Sequence, residues 1–68
     1  MKANINNLPG INLNSKVEYI IPFPAEVGVT FTVIEIEKET DWCIIRANLG
    51  TGLQPTYTAN ISDLQIAQ

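Results

Sequence analysis

Few residues in this chain could do chemistry. There is no histidine, so imidazole acid–base catalysis, serine-type triads and imidazole metal ligation have no residue to carry them. The one thiol, Cys43, lies between Trp42 and Ile44 with no adjacent cation to lower its pKa. Free cysteine is among the most buried residue types, so Cys43 reads as a core residue and not as a nucleophile. Carboxylates gather at Glu35, Glu37, Glu39 and Asp41. Carboxylates two apart on a strand share a face and could hold a cation or work as acid and base. This set lacks the glycine-containing loop of a calcium site, and Lys38 sits within it. It reads as a solvated acidic hairpin that steers basic partners and protects a sheet edge, with a weak cation site as the alternative. Gly50-Thr51-Gly52 is a two-glycine turn and not a phosphate loop, because no helical segment follows it. The expectation is a protein that is not an enzyme, with no catalytic residue, no metal site and no cofactor.

The elements that must carry these residues are short. Sixty-eight residues make one domain, 46% of them hydrophobic and 16% charged, which is enough for one compact core and too apolar for a disordered chain. Residues 1–15 are Asn-rich, hold Leu8-Pro9-Gly10 and show no sustained period. They read as a partly ordered lead-in that tucks one or two side chains against the domain proper, residues 16–68. Lys16 to Ile21 reads as a strand with Val17, Tyr19 and Ile21 on one face, ended by Pro22-Phe23-Pro24. A loop through Gly28 comes next. Val29 to Glu37 is the strongest strand signal, rich in β-branched and aromatic residues. Its alternation slips, since Ile34 and Ile36 stand on the opposite parity from Phe31 and Val33. A β-bulge near Ile34-Glu35 accounts for the slip. After a polar turn, Lys38 to Asp41, the stretch Trp42 to Ala47 is a strand apolar on both faces, hence central or partly covered. Gln54 to Ala59 gives a shorter strand, Asn60 to Asp63 a single helical or 3₁₀ turn, and Leu64 to Ile66 a closing strand. No segment keeps a helical period over three turns.

The order of these parts resembles the SH3-like barrel. The likeness spans Lys16 to Ile66. It comprises an opening strand, an irregular loop, Gly28 leading into Val29-Thr30-Phe31-Thr32-Val33, then Asp41-Trp42 opening the third strand, a glycine turn, and a one-turn helix before the last strand. Ser15-Lys16-Val17, Glu26 to Thr30 and Asn60 to Leu64 also look like the PsaE-like accessory subunits of photosynthetic complexes and bacterial SH3-like domains. The fold expected is therefore all-β, a small five-stranded SH3-like barrel with one short 3₁₀ turn before the last strand. In such a barrel Phe23, Trp42 and Tyr57 would approach one another, flanked by Pro22 and Pro55, and would form a partner-binding patch. Glu35, Glu37, Glu39 and Asp41 would steer the partner electrostatically.

Charge and composition bound the partner. Four Lys and Arg against seven Asp and Glu give a net charge of −3. Phosphate contacts supply most nucleic-acid affinity, so a chain this acidic points away from RNA and DNA. A nucleic-acid- or translation-associated barrel is the alternative function. No apolar run approaches a membrane span, and there is no secretory leader pattern at the start. One cysteine forms no internal bridge. The reading is a cytoplasmic protein-interaction module or accessory subunit, a monomer or weak homodimer that binds another protein.

Overall fold

The computed structural model describes residues 10–50 and 52–67. Five strands form one antiparallel sheet: β1 (Lys16–Tyr19), β2 (Phe31–Glu37), β3 (Trp42–Ala47), β4 (Thr56–Asn60) and β5 (Leu64–Ile66). The order across the sheet is β4-β3-β2-β1-β5. A 3₁₀ turn, Pro24–Glu26, lies in the long β1–β2 loop, and a second, Ile61–Asp63, sits directly before β5. The fold class is the predicted one, all-β and barrel-like, with five strands and a 3₁₀ turn before the last.

β2 is the organising strand, flanked by β1 and β3. Val33 pairs with Ile45, but Glu35, not Ile34, pairs with Ile44, so the ladder slips by one residue between Val33 and Glu35. The predicted bulge is there. It reverses the parity of the rest of the strand: Phe31 and Val33 point into the core, Ile36 packs against it, and Glu35 and Glu37 are exposed. β3 lies between β2 and β4. Cys43, Ile45 and Ala47 form its buried side, and Trp42, Ile44 and Arg46 its outer side.

The core gathers one side of every strand: Val17, Phe31, Val33, Cys43, Ile45, Ala47, Ala59 and Leu64, joined by Ile11 from before β1. Phe31 is its largest member, and Tyr19 meets it edge to face at 5.5 Å between ring centroids. Ile11 is the tucked side chain expected of the lead-in. Asn14 N–H donates to the Val33 carbonyl (2.7 Å) and Val33 N–H to the Ser15 carbonyl (3.0 Å), so residues 14 and 15 extend the pairing along β2 past the end of β1. Residues 1–9, including most of the Leu8-Pro9-Gly10 turn, and Thr51 of the glycine turn lie outside the described residues.

Four strand ends differ from the sequence reading. β1 stops at Tyr19, and Ile21 is 87% exposed instead of sharing the face of Val17. The cause is Pro22, which donates no ladder hydrogen bond; Ile20 N–H still donates to the Asp63 carbonyl (3.0 Å), one step beyond the Tyr19–Leu64 pair, where the paired segment is already in its 3₁₀ turn. β2 begins at Phe31, two residues late, because Val29 N–H is committed to the Glu26 carbonyl (2.9 Å) and holds the chain in the preceding turn. Gly28 makes that turn with φ of +83°, a conformation costly for a side chain with a Cβ. β4 begins at Thr56, after Pro55, and runs on to Asn60.

A small core leaves little reserve. Leu64→Ala is expected to cost about 2–5 kcal/mol of a total of roughly 3–10 kcal/mol for a chain this size. Ile21→Ala, at the surface, should stay within about 0.5 kcal/mol. Urea unfolding of both variants checks this, and similar midpoints for the two would contradict the assigned core.

Candidate functional site

The surface is shaped by the long β1–β2 loop and by the outer face of β2, β3 and β4. The loop is built to hold its shape. Phe23 N–H donates to Glu26 Oε1 (3.2 Å) and Glu26 N–H donates back to the Phe23 carbonyl (2.8 Å), which closes the first 3₁₀ turn reciprocally. Pro22 and Pro24 restrict the backbone on either side of Phe23. Held this way, the loop shows water four large apolar side chains: Ile20, Ile21, Phe23 and Val27. Phe23 is 75% exposed.

Opposite the loop stands the second 3₁₀ turn. Asn60 Oδ1 accepts from Ser62 N–H (2.9 Å) and Ser62 Oγ (2.7 Å), capping the turn. Ile61 N–H donates to the Asp41 carbonyl (2.8 Å), which ties it to the β2–β3 hairpin. Asp41 itself has φ of +63°, a conformation that Asp tolerates better than most residues. Between loop and turn runs an open cleft of about 300 Å³, lined by Tyr19, Ile20, Ile21, Phe23, Ser62 and Asp63. On the other side of the loop a depression of about 180 Å³ carries Glu18, Glu26 and Pro22 among its walls. A third groove, of about 170 Å³, lies on the outer face of the sheet between Glu35, Glu37, Trp42, Cys43, Ile44 and Thr58. Each groove carries carboxylates, and among the described residues no Lys or Arg lines any of the three.

The predicted aromatic set is distributed over these surfaces. Phe23 lines the cleft beside the loop, and Trp42 lines the outer-face groove, 45% exposed. Tyr57 pairs with Ile45 on the core-facing parity and bears on Phe31, ring centroids 6.0 Å apart. Trp42 stands on the opposite parity, paired with Asn60 and Glu37. Tyr57 is still 39% exposed, so it caps the core from its open side. Pro22 and Pro55 are half-buried, Pro22 beside the loop and Pro55 just before β4. Of the acidic set, Glu35 and Glu37 share the Trp42 groove, while Glu39 and Asp41 are exposed in the hairpin turn. The sequence reading misses Tyr19, Ile20, Ile21 and Val27 as surface formers. A signal for Ile20, Ile21 and Val27 exists: they flank Pro22 and Pro24, where a strand cannot continue and carry them onto the core face.

Cys43 is buried, and burial raises its thiol above the ordinary value of 9.0. Tyr19 is also raised, first by burial and then by the nearby Glu26 and Asp63 carboxylates. Among the described residues no three of His, Cys, Asp and Glu come together to hold a metal ion, and no helix is long and apolar enough to cross a membrane. No family model matches the chain, and neither a curated protein nor a solved structure matches it.

Both raised groups are neutral when protonated, so the folded chain holds their protons more tightly than the unfolded chain does. Their contribution to stability is complete below the ordinary thiol value of 9.0 and is lost as pH rises through the folded-state values. The urea midpoint should therefore fall between pH 7 and pH 10, and Cys43 should react with a thiol reagent far faster in urea than in buffer. An unchanged midpoint together with a freely reactive thiol would contradict the burial of Cys43.

Proposed function

We propose that the chain is a small protein-interaction module, or an accessory subunit of a larger complex, that performs no catalysis and docks through the β1–β2 loop and its cleft. The observation that carries this is the display of Ile20, Ile21, Phe23 and Val27 on one hydrogen-bonded loop. Clustered exposed apolar side chains on a small domain mark protein contacts. A loop already held in shape loses little conformational entropy on binding. The carboxylates of Glu26 and Asp63 beside it suit a partner that is apolar at its centre and basic at its rim. Kinship with SH3-like barrels is part of the proposal, supported by the order of elements from Lys16 to Ile66. So is a cytoplasmic location, supported by a lone buried thiol that suits a reducing compartment.

The double variant Ile21→Ser/Phe23→Ser removes apolar surface without touching the core. Affinity purification from the native host should recover a defined partner with the unaltered chain and lose it with the variant, while circular dichroism stays the same. A folded variant that keeps every association would overturn the assignment of this surface.

A further inference from the structure

The outer-face groove is separate from the loop and has its own chemistry. Two neighbouring cross-strand rows build it: Glu35–Ile44–Thr58 and Glu37–Trp42–Asn60. Directly paired residues on a sheet face have Cβ atoms about 5 Å apart, so each carboxylate stands beside an apolar partner, Glu35 by Ile44 and Glu37 by Trp42. Neither Glu35 nor Glu37 has an ion-pair partner among the described residues, and no Lys or Arg of that set lines the groove. Its volume of about 170 Å³ is below the roughly 300–1,000 Å³ of small-molecule sites and suits one long side chain.

We propose that this groove seats an arginine side chain presented by a partner protein. The inference rests on reading the domain as protein-binding, but it uses a different face. A guanidinium is planar, stacks on an indole and forks onto carboxylates. Its methylene stem would lie along Ile44. Charge complementarity selects the occupant: two unpaired carboxylates beside an exposed tryptophan disfavour an acidic or purely apolar side chain. Lysine offers a point charge with no plane to stack, so arginine binds more tightly.

Trp42 is the only tryptophan, so its fluorescence reads the groove directly. Titrating the free chain with N-acetyl-argininamide should give a saturable change with a dissociation constant on the order of millimolar. N-acetyl-citrullinamide, equal in shape and uncharged, should bind about tenfold more weakly, and E35Q/E37Q should weaken the arginine probe by about tenfold, in keeping with one to two charge contacts. Equal responses to arginine and citrulline, a change that never saturates, or an E35Q/E37Q chain that binds arginine as well as the unaltered one would each overturn the proposal. Because the probe needs no partner and leaves the β1–β2 loop untouched, its failure is distinct from failure of the loop assignment.

Discussion

One extra residue in β2 decides which side chains this domain shows to its surroundings. Without the bulge at Ile34, the strand would alternate regularly from Phe31, and Glu35 and Glu37 would follow Phe31 and Val33 into the core. Burying two unpaired carboxylates is prohibitive in a domain this small. The slip between Val33 and Glu35 sends both carboxylates outward and returns Ile36 to the core. The same slip places Glu37 beside Trp42 and Glu35 beside Ile44. Core composition and surface chemistry thus depend on one backbone irregularity.

The second constraint is scarcity. The core fills with Phe31 and a set of mid-sized aliphatic residues, and Tyr19 and Tyr57 close it from its open side. Once that volume is filled, Ile20, Ile21, Phe23 and Val27 have nowhere to go but the loop surface. Exposed apolar area has a solubility cost, and its concentration on a loop fastened by Glu26, Asp63 and two prolines is what the proposed docking role would account for. The carboxylates around each groove keep the surface acidic there, but Glu35 and Glu37 stand on the central strand β2, so they do not guard a sheet edge as the sequence pattern implies.

Much of this architecture is legible in the sequence. β3 and β5 can be read with their observed bounds, because β-branched and apolar runs between clear turn residues leave little choice. The bulge is visible as a change of parity at Ile34, and the capping side chain of Asn60 announces the 3₁₀ turn. The features that escape a sequence reading are tertiary. That the segment paired with β1 has already entered its 3₁₀ turn at Asp63, beyond the Tyr19–Leu64 pair, cannot be seen locally, so the sequence pattern runs β1 too long and gives Ile21 to the inner face. Trp42 and Tyr57 can be placed on opposite parities only once the β3–β4 register is known. Grouping them with Phe23 comes from the resemblance to SH3-like barrels and not from any pattern in the residues.

The bulge is the point on which the account turns, and the cross-strand pairing of β2 with β3 tests it most directly. Nuclear Overhauser contacts between backbone protons of a labelled sample would read that pairing. The account predicts Val33 opposite Ile45, Glu35 opposite Ile44 and Glu37 opposite Trp42, with Ile34 unpaired. An unbroken ladder, with Ile34 opposite Ile44 and Glu35 opposite Cys43, would contradict it.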